Sequence, residues 1–237
     1  MSLRRVALIP LALGLVLGAC SSGDDSDSSS SETASAATTA SGGATGTDAA
    51  ETSAAVPEGF TVVDRSGDGF VIALPPGWQS FDLTATDVDA IIAAAAEANP
   101  ALAGNIGDAV KQLVAEGGLL YASDISNPGN FLTNVNLIRV QGVTSGLGLL
   151  QQQAQSQLTA AGATNVSSTQ VQLPAGDAVR TTYTVPVTLA DGTTTEVAGL
   201  QVYFLTQQNL YVLTFSTNQP DQYTEVFDQV IATFEPA

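Results

Sequence analysis

Two hydrophobic rhythms alternate along the chain from Phe60 onward, one of period two and one of period 3.6. Alternation over Phe60 to Val63, and again at Phe70, Ile72 and Leu74, predicts two strands joined through Arg65-Ser66-Gly67-Asp68-Gly69. Pro75-Pro76-Gly77 stops the second strand, and Trp78 behind it is expected to anchor the core. Val88, Ile91, Ile92 and Ala95 fall at i, i+3, i+4 and i+7 of a predicted helix. Thr86 is its N-cap, with Asp89 three residues on as a variant of the capping box. Asn99-Pro100 ends or breaks that helix, because the residue before proline avoids the helical region. A second helix carries Leu102, Ile106, Ala109, Val110, Leu113 and Val114 and closes at Gly117-Gly118.

Strands are then predicted over Leu119 to Ile125 and Leu132 to Val140, separated by the turn-forming run Ser126-Asn127-Pro128-Gly129-Asn130. The next helix presents Leu147, Leu150, Ala154, Leu158 and Ala161 on one face, and Gly162 stops it. Gln151, Gln152, Gln153, Gln155 and Gln157 cover the rest as a neutral solvated surface. A run of Thr- and Val-rich strands follows. Val179 to Leu189 turns at Asp191-Gly192 into Thr194 to Leu205, and Gln207-Gln208-Asn209 turns into Leu210 to Phe215. Asp-Gly between alternating strands supplies the positive φ angles of a tight hairpin. Tyr223, Val226, Phe227, Val230, Ile231 and Phe234 form the clearest helical stripe in the chain, which must lie on a sheet. Helices between strand groups, with a meander near the end, predict an α+β fold: an antiparallel sheet covered by helices on both faces.

Ahead of Phe60 neither rhythm exists. Arg4 and Arg5 precede an apolar run from Val6 to Leu17, too short for the roughly 20 residues that cross a bilayer. That is the pattern of a removable secretory signal over residues 1–19. Leu17-Gly18-Ala19-Cys20 resembles a bacterial lipobox, which implies that Cys20 is lipidated and becomes the mature N-terminus. The alternative is an incidental thiol in an ordinary signal peptide. Cys20 is the single cysteine, so the exported domain holds no internal disulfide. Residues 20–58 are Ser, Thr, Ala, Gly, Asp and Glu almost throughout, too poor in apolar surface to offset ordering entropy, and read as a flexible acidic tether. A partner-binding tail or a glycosylated stalk is the other reading of that segment. Residues 59–237 are then one domain on the extracytoplasmic face of the cell membrane, held there by the lipid anchor.

Charge narrows the partners. That domain carries sixteen acidic side chains against Arg65, Lys111, Arg139 and Arg180, for a net charge near −12. Nucleic acid is excluded as a partner, because phosphate binding needs basic clusters, and so is docking on an anionic lipid face. Histidine is absent, which removes the Ser-His-Asp and Cys-His arrangements and the usual zinc ligands. No catalytic set, resident cofactor or metal is expected.

Three stretches carry a family resemblance: Phe70-Val71-Ile72-Ala73-Leu74-Pro75-Pro76-Gly77-Trp78, Tyr211-Val212-Leu213-Thr214-Phe215-Ser216, and Phe227-Asp228-Gln229-Val230-Ile231-Ala232-Thr233-Phe234. With them, residues 59–237 resemble the PsbP-like superfamily, an α/β/α sandwich. It includes the photosystem extrinsic subunit, the Mog import factors, the DcrB lipoproteins and the actinobacterial LpqN-type lipoproteins. The anchored, tethered start makes the chain most similar to the LpqN type. The resemblance implies an envelope-facing binding or accessory protein with an unidentified protein or lipid partner, and carries no functional residue with it.

Several residues invite a sharper reading. Asp64-Arg65-Ser66-Gly67-Asp68-Gly69 imitates the first half of a calcium loop, but the twelfth position is Pro75 where a bidentate Glu belongs, so a hairpin turn is expected. Asp87 and Asp89 are paired carboxylates at a helix N-terminus, where they complement the macrodipole. Trp78, Tyr121, Tyr183 and Tyr203 are either core or the lining of a ligand cleft. Arg139 and Arg180, lone cations in apolar strands, pair with an acidic neighbour at the sheet edge or anchor an anionic ligand. The glycines of Gly142 to Leu147 lack the Lys and spacing of a phosphate loop. The expectation is therefore a non-catalytic module acting by protein contact. The alternative is a carrier sheltering a lipid beside the small-residue run Ala93 to Ala96.

Overall fold

The computed structural model describes residues 55–84, 110–127, 131–143, 145–188 and 192–237, with Asp89 and Ala93 besides. The signal, Cys20, the tether, Thr86, Asp87 and most of the first predicted helix pair lie outside the described residues.

Strands β1 (Thr61–Arg65) and β2 (Phe70–Leu74) pair antiparallel from Thr61 opposite Leu74 to Arg65 opposite Phe70. The expected turn is a single 3-10 turn, Ser66–Asp68, closed by Gly69 at φ 91°. It is a hairpin connection, as the missing twelfth ligand implied. Seven further strands follow: β3 (Trp78–Asp82), β4 (Gly118–Asp124), β5 (Asn134–Gln141), β6 (Thr164–Leu173), β7 (Gly176–Thr188), β8 (Thr194–Leu205) and β9 (Asn209–Thr217). They form one sheet in the order β3-β4-β5-β9-β8-β7-β6, and every neighbouring pair is antiparallel. The chain ends in β10 (Glu235–Pro236), which pairs with the free side of β2 and completes a separate three-stranded sheet.

Helix α1 (Leu147–Ala160) and helix α2 (Pro220–Ala232) lie on opposite faces of the seven-stranded sheet. The strand register decides this. Leu200, Val202 and Phe204 of β8 and Tyr211, Leu213 and Phe215 of β9 share one face and pack against Phe227, Val230 and Ile231 of α2. The same cluster takes in Phe70, Ile72 and Leu74, so the small sheet and α2 cover that face together. Phe215 meets Phe227 at 4.7 Å and Phe204 meets Phe234 at 4.8 Å between ring centroids. Thr233 fastens the end of α2 to β2: its Oγ1 accepts from the Ala73 N–H at 2.9 Å and donates to the Val230 carbonyl at 2.8 Å.

Residues of opposite parity build the second face. Val110 and Leu113, on a helical segment at 110–115, pack on Phe81, Leu83, Tyr121 and Ile138. Leu158 of α1 packs on Tyr183 and Ala163 over the far strands. The fold is thus α+β with a central, antiparallel sheet between helical layers.

Three expectations change. Trp78 does pack against the main core cluster, but half-buried and as the first residue of a strand, β3, in T-shaped contact with Tyr223 at 6.5 Å. The glutamine face of α1 is not solvated throughout, since Gln151 is half-buried and its Nε2 donates to the Ser168 carbonyl of β6 at 2.6 Å. Arg139 is not at a sheet edge: β5 has β4 on one side and β9 on the other.

Candidate binding groove

Helix α2 is fixed over β9 and β8 by its aromatic stripe, and the sheet continues beyond it to β7 and β6. An open groove of about 330 Å³ results, between the N-terminal half of α2 and strands β7 and β8. Thr182 and Thr184 of β7 with Ala198 and Leu200 of β8 form its floor. Pro220, Thr224 and Phe227 of α2 form one wall. Arg180 stands at the rim, where its Nη1 meets Asp228 Oδ1 of α2 at 2.6 Å and sets the distance between helix and strand.

The sheet beneath the floor is backed from its other face by a close packing of ring on backbone. Gly199 lies opposite Tyr183, and a Cβ there would come within 2.1 Å of the Tyr183 ring. Without a side chain, the ring packs against the strand backbone from the α1 side. Threonine hydroxyls, aliphatic groups and the Phe227 ring line the groove, with Asn165 and a single guanidinium. The lining is thus mixed, apolar with a few polar groups, as in a binding cleft.

The charged groups around the sheet serve the fold. Asp124 is buried at the end of β4, accepts from the Ser126 N–H and Oγ at 2.9 and 2.6 Å, and accepts from Tyr223 Oη at 2.6 Å. Burial alone would raise its pKa, but these bonds outweigh burial and hold the carboxyl below the usual range. The Tyr223 hydroxyl is pushed up by burial and by that carboxylate. Arg65 joins the two sheets, with bonds to Asp68, Asp82 and Thr84. Burial opposes the charge of Asp82, and its bonds from Thr84 and Arg65 overcome this and lower its pKa.

The remaining candidates separate in space. Tyr121, Tyr183 and Tyr203 are buried on the α1 face, where Tyr203 donates to Gln201 Oε1 at 2.6 Å. Burial pushes Tyr121 up to about 12 and raises Tyr183 and Tyr203 as well. They are core, although Tyr183 also underlies the groove. Arg139 donates to the backbone carbonyl of Asp68 and so braces the first hairpin. Asp89 is exposed, 4.0 Å from Lys111. The glycines at 142 and 146 sit in a loop before α1. Among the described residues no three His, Cys, Asp or Glu side chains are placed to hold a metal, and no helix is long and apolar enough to cross a membrane. The groove's threonines gave no advance signal; Arg180 does pair with an acidic residue, but inside the sheet and not at its edge, and nothing in the sequence named Asp228 as that partner. Exposed threonine is ordinary strand composition, and the paired charges are 48 residues apart.

No family model matches the chain, and no curated protein matches it significantly. Among solved structures, it is similar to the solution structure of cyanobacterial PsbP (CyanoP) from Synechocystis sp. PCC 6803, at 13% identity and a TM-score of 0.44, over 76% of this chain and 93% of that one. That likeness is one of fold class: a mainly antiparallel sheet with few helices.

Proposed function

We propose that the protein is a membrane-anchored, extracytoplasmic lipoprotein of the LpqN-like kind, acting as a non-catalytic binding or accessory module of the cell envelope. Cys20 carries the anchor, residues 21–58 are the tether, and the groove beside α2 receives a segment of a protein partner. The observation that supports this is the groove itself. It is concave, open, and lined by hydroxyl and apolar groups, while the surrounding carboxylates and guanidinia are spent on holding the fold. A photo-crosslinking residue at Thr224, in the lipidated chain in its own envelope, tests it. A discrete adduct is expected from Thr224 and none from a probe at exposed Thr61. Equal labelling from both positions, or none from either, sinks the groove as the contact site.

Lipid carriage is the second reading, and one observation favours it. Asn136 Oδ1 is buried on the α1 face and, among the described residues, accepts no hydrogen bond. Asn136 is level with Thr214 and Gln201 across β9 and β8, a polar row in an otherwise apolar layer. A hydroxyl-bearing apolar molecule on that face would satisfy it. Ala93, which belongs to the small-residue run expected to line such a cleft, is exposed, and the rest of that run lies outside the described residues. Native mass spectrometry of the protein from envelope extracts separates the readings: a reproducible added lipid mass selects carriage, and an unliganded mass selects protein contact.

A further inference from the structure

The chain carries a net charge of −17, yet the 37 residues from Val140 to Gly176 contain no Asp, Glu, Lys or Arg. That run builds α1 and β6, which lie together on one border of the large sheet. Strand β6 is an edge strand of ten residues, exposed or half-buried throughout. The opposite edge, β3, has five residues and ends at Asp82, which Arg65 holds. The free edge of the small sheet, β1, also has five residues and contains Asp64 and Arg65. Natural sheets blunt their edges by shortness, charge, proline or a bulge. Those two edges use the first two devices. Strand β6 has a bulge between Thr164 and Ser167, with Asn165 at φ 53°, and one side-chain cap, Gln151 Nε2 on the Ser168 carbonyl; it pairs regularly with β7 from Ser167 to Leu173. Beside it, α1 exposes Leu149 to 50%.

We infer that β6 is a docking edge for a second copy of this chain, two copies joining by antiparallel pairing of β6 with β6. The charge pattern selects this occupant. An acidic domain meeting its own copy brings carboxylates against carboxylates, a repulsion felt over about 8 Å at physiological salt. Strand β6 lacks that penalty, for the nearest charged positions, Asp177 and Arg180, sit one strand in, opposite Gln172 and Thr169. A two-fold axis at Gln170 makes the contact isologous. Ser168 of one copy then faces Gln172 of the other, and the two sheets become one.

Sedimentation equilibrium of the full lipidated chain in density-matched detergent tests the association, with the double variant Gln170→Glu and Gln172→Glu beside it. A dimer is expected, and the variant should weaken it at least tenfold while the thermal midpoint falls only slightly, because both positions are exposed and only the Gln170–Gln151 bond is lost. Gln170→Cys locates the contact, since directly opposed residues of an antiparallel pair bring their Cβ atoms to about 4.5–5.5 Å. Mild oxidation on membranes should link Gln170→Cys into dimers and leave Gln222→Cys, exposed on α2, unlinked. A monomer at every concentration overturns the inference. So does a dimer that ignores the two added carboxylates and links no better through position 170 than through 222.

Discussion

Tyr223 donates a 2.6 Å hydrogen bond to Asp124 across 99 residues of sequence. The bond joins the first turn of α2 to the end of β4, and Asn127 Nδ2 adds a second bond to the same hydroxyl at 3.2 Å. Because Asp124 is charged and buried, losing this donor costs more than an ordinary hydrogen bond. Tyr223→Phe keeps the ring against Trp78 and Phe227 and removes only the hydroxyl. Its expected cost is about 1.5–3 kcal/mol, read as a lower urea midpoint with an unchanged slope. A variant as stable as the parent would mean that water replaces the hydroxyl at no loss.

Asp124 and Asp82 also set an acid limit. Both carboxyls have pKa values lowered in the folded state, so each contributes stability that is fully present above its unfolded value of about 3.9. That contribution is lost as pH falls from there through the lower folded values. The absence of histidine leaves little that titrates between pH 5 and 8. Stability is expected to be flat over that range and to fall below about pH 4. Asp124→Asn should be less stable at pH 7 and lose less on acidification. An equal acid slope in parent and variant would assign the loss to other carboxylates.

How much of this was legible depends on whether a signal was local. The stripe from Tyr223 to Ile231 gave α2, because an amphipathic helix on a sheet must repeat at 3.6. Phe234 belongs to the same core but stands beyond the helix end, at the entry to β10. The hairpin at Asp191-Gly192 gave β8 residue for residue, from Thr194 to Leu205. Strand β6 was blurred into its neighbours because Ser, Thr and Gln dominate it and its few apolar residues, Val166, Val171 and Leu173, are only half-buried. Strand β3 was missed because Trp78 and Phe81 break the alternation: Phe81 packs on the helix-110 side while Trp78 meets Tyr223. The groove was illegible for a different reason. It is the space left where a wide sheet outruns one helix, and no single residue encodes a gap.

Gly199 is the tightest of the described glycines. An added Cβ would lie 2.1 to 2.6 Å from three atoms of the Tyr183 ring, itself buried under α1. The ring cannot swing aside without opening that layer. Gly199→Ala is therefore expected to cost at least about 1–3 kcal/mol, the usual range for overpacking. In a Tyr183→Ala background, itself less stable, the same Gly199→Ala change should cost less than in the parent, because the clash is gone. Equal stability of parent and Gly199→Ala, by thermal unfolding, would mean that the strand bends freely here.

Arg180 separates stability from binding. Its pair with Asp228 is partly exposed, and such pairs contribute about 0.2–1 kcal/mol. Arg180→Ala should lower the thermal midpoint only slightly. The same change removes the one cation at the rim of the groove and frees α2 from β7 at that point. Photo-crosslinking from Thr224 should therefore fall well beyond what the stability change accounts for. A parallel loss of both would make Arg180 a fold residue alone.

Cys20 is where the proposed function meets the membrane. An acidic domain of net charge near −12 has no electrostatic attraction to anionic headgroups, so the proposed residence at a membrane rests on the anchor. One acyl chain binds only marginally, whereas two or more hold firmly. Cys20→Ala removes the thiol that would carry them and leaves residues 59–237 untouched. The variant is expected in the soluble fraction after cell breakage, with the parent in the membrane pellet, both with the same thermal midpoint. If the variant stays in the pellet and high salt releases it, a protein partner holds the domain there without the lipid. If it resists salt and yields to detergent, another apolar segment is the anchor, and the lipobox reading of Leu17-Gly18-Ala19-Cys20 falls.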